Sequence, residues 1–322
     1  MIFLKETHYA YAVAYMKTFE NKMLTSNEIE SLLNAADLKQ AMKILADKGF
    51  GNGKTDETAS DILKSELEKI WAEAKNACPD DAPLDVVLYK NDFHNLKTIL
   101  KAIMSDVSFD NLLLKPCIAD PYEIEDAVKS QNFENLPHFI KDSAKEAFKM
   151  LGETRDGQSM EVFLDRACLE KMRERAEKEE SEFLKSWVEL NILIANMKTA
   201  ARATGRSADF IKNAMVESKD SKMLIDASLK SLKDVAETVS KIGYPKGAEL
   251  LLNSFSDFEK WCDNLKMDYV KKGKAKSFGF EPLLAFLIGK EFELQTVRII
   301  LSGKENSVPN EIIRERLRDM YV

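Results

Sequence analysis

His94-Asn-Leu-Lys-Thr-Ile-Leu-Lys-Ala102 returns as Ala195-Asn-Met-Lys-Thr-Ala-Ala-Arg-Ala203 and again as Gln295-Thr-Val-Arg-Ile-Ile-Leu-Ser-Gly303. Asn95, Asn196 and Thr296 correspond, at offsets of 101 and 100 residues. A near-constant period is the signature of one structural unit used three times. Leu96, Met197 and Val297 fill one apolar place, Ile99, Ala200 and Ile300 a second, and Leu100, Ala201 and Leu301 a third. Spacing of i, i+3, i+4 puts all three places on one face of a helix. Lys97, Lys198 and Arg298 keep one cationic place beside that face.

A second echo precedes each copy: Leu67-Glu-Lys-Ile70, Leu169-Glu-Lys-Met172 and Phe258-Glu-Lys-Trp261 lie 28, 27 and 38 residues before the aligned Asn or Thr. The larger third spacing predicts a longer loop before the last helix. The period divides the chain into helical units at 1–108, 109–205 and 206–322.

The bulk properties agree. At 322 residues the chain exceeds the roughly 250 to 300 at which a single core stops growing. Gly (12) and Pro (8) are scarce, which favours long helices, and no segment alternates with period two. The fold class is therefore all-α. Thr25 opens a Thr-x-x-Glu capping box with Glu28, and helices are expected at about 7–24, 38–47, 57–77 and 85–104. The polar stretch 173–182 predicts a solvated helix or a break near Ser181, Ser207 is a predicted N-cap, and Pro309 opens a final helix.

A net charge of −7 argues against nucleic-acid binding and against direct attachment to anionic lipid. No apolar run is long enough to span a bilayer, and Met1-Ile-Phe-Leu4 before Lys5-Glu6 is too short for a signal peptide, so a cytoplasmic location is expected. Cys78, Cys117, Cys168 and Cys262 lack metal or disulfide spacing.

Sites of chemistry are hard to find. Gly49-Phe-Gly-Asn-Gly-Lys-Thr55 ends like a phosphate-binding loop, but Lys48 stands where the first Gly belongs and a helical pattern precedes it, so Gly49 is expected to cap a helix. Asp80-Asp81 sits between Pro79 and Pro83 without a second acidic pair, so loop capping is expected rather than magnesium binding by a helical enzyme. His8, His94 and His138 have no nucleophile or ligand at working spacing. Lys271-Lys272-Gly-Lys-Ala-Lys276 is the strongest basic run, expected in the longer third loop and solvated, with contact to an acidic partner or to lipid headgroups as the alternative. Glu281 precedes Pro282 at a helix start. No catalytic residue, cofactor or metal is predicted.

Several stretches resemble the C subunit of the V-type/A-type ATPases, whose eukaryotic relatives carry the letter d. They are Tyr11-Ala-Val-Ala14, Asn21-Lys-Met-Leu24, Lys90-Asn-Asp-Phe-His-Asn-Leu-Lys97, Glu281-Pro-Leu-Leu-Ala-Phe-Leu-Ile-Gly-Lys-Glu291, Arg298-Ile-Ile-Leu301 and Ile313-Arg-Glu-Arg-Leu317. From Phe109 to about Phe183 the match is by pattern and length only. The resemblance implies three similar helical domains in a pseudo-three-fold funnel, seated on the cytoplasmic end of the membrane rotor ring. It implies partners in the central stalk, the D and F proteins, and in the ring, with torque passing between them and no catalytic residue. On this reading Lys97, Lys198 and Arg298 either line a cationic ring facing a partner or pair internally with acids, the latter favoured. The competing reading is a free-standing helical-repeat scaffold for cytosolic partners.

Overall fold

A computed structural model describes residues 8–52, 57–79, 82–277 and 279–322. Among these the chain is all-helical, with no strand. The Gly-Lys-Thr tail at 53–55, the Asp80-Asp81 pair and the residues before His8 lie outside the described set.

The chain forms two compact units, one comprising the residues up to Ala82 together with Lys260–Val322, the other Pro83–Glu259. The first holds α1 (Ala10–Glu20), α2 (Ser26–Leu33), α3 (Leu38–Asp47) and α4 (Ala59–Ala77). In the second are α5 (Tyr89–Ser105), α6 (Pro121–Ser130), α7 (His138–Thr154), α8 (Gly157–Glu177), α9 (Glu182–Arg202), α10 (Ala208–Ala214), α11 (Ser221–Ser228), α12 (Leu232–Lys241) and α13 (Pro245–Asn253). Then α14 (Phe255–Lys274) begins in the second unit and continues into the first, which α15 (Glu281–Glu305) and α16 (Asn310–Arg316) complete.

Local signals set most helix boundaries. Thr25 and Glu28 form the reciprocal capping box, satisfying two N–H groups that the helix itself leaves unpaired. Beside Lys48, the same bonds hold the Glu28 carboxyl down at about 2. After α3, Gly49 takes φ +84°, its N–H bonds the Ala46 carbonyl and the Phe50 N–H bonds the Leu45 carbonyl. That pair of bonds is a Schellman ending, so Gly49 caps a helix as expected. The polar stretch breaks, with Ser181 as N-cap of α9, and Ser207 caps α10.

Two expectations fail. Residues 83–87 form a 3-10 turn, so the long helix starts at Tyr89 rather than Asp85. The basic run is not a loop: Lys271, Lys272 and Lys274 lie in the last turn of α14. The extra spacing of the third copy lengthens a helix, because Phe258, Cys262, Met267 and Val270 stay on a buried face throughout. The lysines then meet the negative end of the helix dipole.

In the first unit α15 packs against α1, α2, α3, α4 and α16. Near its start, residues 282–289 are apolar and buried on every side, as in a helix enclosed by others they must be. Leu294, Val297, Ile300 and Leu301 join Ile29, Leu32, Leu33, Ala41 and Leu45 in one core. In the second unit α8 plays the central part, against α5, α7, α9 and α10.

Candidate functional site

The polar side chains of α5 form an unusual structure. Asn91, Asp92, His94 and Asn95 lie close together on the helix, and each bonds backbone of the irregular segment 112–119. Asn91 Nδ2 donates to the Pro116 carbonyl (2.8 Å), and His94 Nε2 lies 3.1 Å from the Leu112 carbonyl. Asn95 makes a two-point clamp: Nδ2 donates to the Leu114 carbonyl (3.0 Å) and Oδ1 accepts from the Leu114 N–H (2.8 Å). Asp92 Oδ1 accepts from the N–H groups of Ile118 (2.9 Å) and Ala119 (2.8 Å). A primary amide offers both a donor and an acceptor, so it replaces the missing partner strand for one residue of loop. Asp92 is fully buried, and desolvation pushes its carboxyl up to about 6 against those two bonds.

One period later the clamp recurs. Asn196 Nδ2 donates to the Val216 carbonyl (2.8 Å), Oδ1 accepts from the Val216 N–H (3.0 Å), and Ser218 Oγ lies 3.3 Å from Nδ2. The rest of the ladder does not recur: Ile192, Leu193 and Ala195 stand where Asn91, Asp92 and His94 would be. In the third copy the acid survives instead. Glu293, equivalent to Asp92, accepts from the Leu24 N–H (3.3 Å), and burial raises its pKa likewise.

The predicted cations fare differently from one another. Lys97 pairs with Asp165, the internal alternative. Lys198 is half-buried, and Arg298 is exposed. Lys272 lies over the Tyr269 ring at 5.3 Å, Lys271 is exposed, and Glu281 pairs with Lys276 at 3.0 Å. These residues form no common centre: Asn95 with Lys97, Asn196 with Lys198, and the α14 lysines sit on separate elements.

Two features of the first unit escape the sequence reading. Lys290, only 3% exposed, sits between Glu66 (3.2 Å) and Glu293 (2.9 Å) and over the Phe50 ring at 4.5 Å. The C-terminal segment runs back along α15, with Ile313 against Gly303 and Tyr321 against Gly289. A Cβ at either glycine would fall 2.5 Å from those side chains. Lys260, Asp263 and Asn264 of α14 hold the same segment through Glu315, Arg318 and Asp319.

Burial pushes the thiols of Cys168 and Cys78 up to about 12 and about 11, so both stay protonated and unreactive at neutral pH. Among the described residues no cluster of three or more His, Cys, Asp or Glu could hold a metal, and no helix is long and apolar enough to cross a membrane.

The model of the ATP synthase (C/AC39) subunit family matches residues 12–316. The C subunit of the V-type sodium ATPase of Enterococcus hirae is 25% identical over 272 residues, covering 80% of this chain and 81% of that protein. The C subunit of the A-type ATP synthase of Methanocaldococcus jannaschii is 25% identical over 343 aligned positions, covering 94% and 85%.

Proposed function

The chain belongs to the ATP synthase (C/AC39) subunit family, and from that premise we propose that it is the non-catalytic subunit of a rotary V-type or A-type ATPase that couples the central stalk to the membrane ion-carrying ring. The match over residues 12–316 carries this reading. On it, the protein lies on the cytoplasmic face, receives the D and F proteins of the stalk, and passes torque to the ring during ATP-driven ion transport or ATP synthesis. The three periods act as three similar helical domains, a view supported by the same Asn clamp at Asn95 and Asn196.

The chemistry of the residues suits a mechanical part. Helices keep their backbone hydrogen bonds internal, and packed interiors yield little under load. The ladder on α5 extends this stiffness to a segment that has no helix of its own. The test is reconstitution: purified protein should bind a D–F stalk complex and a detergent-solubilised ring at low and at moderate salt. Binding to neither would overturn the proposal.

A further inference from the structure

Five large apolar side chains stand exposed within residues 104–122 of the second unit: Met104 (50%), Val107 (58%), Leu112 (59%), Ile118 (39%) and Tyr122 (52%). Two of them, Leu112 and Tyr122, are brought together in space as well as in sequence, and Ile118 is tied to the same stretch of α5 through Asp92. The Tyr122 hydroxyl donates to Asp110 Oδ1 at 3.1 Å, which draws Tyr122 beside the turn Asp110–Leu112, and His94 ties that turn to α5. A mobile loop would fold such side chains inward or leave them disordered. Here six hydrogen bonds from Asn91, Asp92, His94 and Asn95 fix the backbone while Leu112 and Ile118 project from it. Leu112 and Ile118 on a stiffened backbone, with Tyr122 drawn beside them, have the form of an interaction surface with little ordering cost.

We propose that this face docks another protein of the ATPase through a segment that is apolar and carries Lys or Arg. The charge around it selects the occupant. Residues 104–123 hold four exposed acids, Asp106, Asp110, Asp120 and Glu123, against a single base, Lys115. Anionic lipid headgroups are repelled by such a rim. A second copy of this chain would set acid against acid across a two-fold contact. A cationic, apolar segment meets both the side chains and the rim. The equivalent region one period on has the Asn196 clamp but a different rim, with Arg206, Lys212, Lys219 and Lys222 against three acids between 205 and 224. The fold repeats and the surface chemistry does not, so the 104–122 face recognises one partner rather than any of three.

The inference rests on the rotor-coupling reading, and the experiment separates the two. Tagged full-length chain is expressed in its own host with the ATPase, and the complex is purified from membranes in mild detergent. A photo-crosslinking benzoylphenylalanine replaces Val107 or Leu112, with exposed Leu252 as control. We expect light-dependent joining, from 107 and 112 only, to a protein of the complex through a peptide containing Lys or Arg among apolar residues. The doubly charged variant V107E/L112E should co-purify at least about tenfold less than wild type, with an unchanged melting curve, because its changes are on exposed side chains. Leu252→Glu should co-purify normally. Joining to lipid, to a second copy of this chain or to nothing overturns the inference, as does undiminished retention of V107E/L112E. If the wild-type chain does not co-purify with ATPase proteins, the proposed function falls as well; if it does, failure of the docking inference stands alone.

Discussion

Replacing Lys290 with Met tests whether the first unit depends on a buried ion triad. Met keeps most of the stem and removes the charge, leaving Glu66 and Glu293 facing each other in the core with exposures of 8% and 1%. Removing the partner of a buried charge costs about 3–5 kcal/mol. Relief comes by protonation. Burial already raises the Glu293 pKa, Lys290 opposes that rise, and the nearby Glu66 adds to it. Without Lys290 the pKa climbs further, and each further unit corresponds to about 1.4 kcal/mol. A carboxyl whose folded pKa exceeds its unfolded value contributes stability that is present below the unfolded pKa and lost as pH rises through the folded one. The variant should therefore be least stable near pH 7.5 and recover part of its loss near pH 5.5. Urea midpoints by circular dichroism at the two pH values check this, and adding Glu66→Gln and Glu293→Gln should restore most of the loss. A deficit below about 1 kcal/mol, or one equal at both pH values, would refute the triad as an electrostatic unit.

The other expected outcomes concern the ladder and the C-terminal segment. Asp92→Asn keeps the acceptor for Ile118 and Ala119 and removes a charge whose burial, at a pKa of about 6, costs about 3 kcal/mol above pH 7. Because the second oxygen has no hydrogen-bond partner, the new amide N–H₂ forfeits part of that, so a gain of about 1–2 kcal/mol is expected at pH 8, fading below pH 4 in denaturant titrations. Asn95→Leu and Asn196→Leu each orphan one N–H and one carbonyl, at about 2–4 kcal/mol, and hydrogen exchange should quicken at Leu114 in the first and at Val216 in the second. Gly289→Ala places a Cβ in the Tyr321 ring and should raise exchange and proteolysis at residues 317–322; unchanged protection there would show that Tyr321 has room to shift.

What the sequence discloses depends on range. Thr25 with Glu28, Gly49, Ser181 and Ser207 act on neighbours within five residues, so their roles can be read directly. The repeat is legible because three apolar places recur on one helical face, and all nine positions are core except Ala201, which is half-buried. The extension of α14 is hidden because Lys-rich ends suit loops and helix C-termini alike, and only the spacing of Met267 and Val270 distinguishes the two. Glu66, Lys290 and Glu293 come from distant parts of the chain, and nothing local pairs them. A signal exists even so: charges at 290 and 293, directly after the apolar run 282–289, must find partners or take up protons if that buried face continues. Asn95 stands out in sequence through the repeat, and Asn91 and Asp92 only as part of the family resemblance, in each case without a mechanism. Their partners lie 18 to 27 residues downstream, beyond any local periodicity.

The three copies then explain one another. At the position of Asn95 the first two copies hold an amide and clamp the segment that follows, whereas Thr296 in the third is a shorter side chain without a carbonyl oxygen to offer a backbone N–H. At the position of Asp92 the first and third hold a buried acid that accepts backbone N–H groups, whereas the second holds Leu193. Only the first copy combines both devices, and only its following segment carries the cluster from Met104 to Tyr122 on an acidic rim. Buried polar groups are costly unless satisfied, so a core helix carries Asp92 and Asn95 within one turn, flanked by half-buried Asn91 and His94, only where a specific backbone path must be held. The place where the chain departs furthest from a simple apolar repeat is therefore the place where it needs a fixed surface. A protein proposed to carry torque needs such a surface where it meets its neighbour, because a compliant contact would absorb the rotation it should transmit.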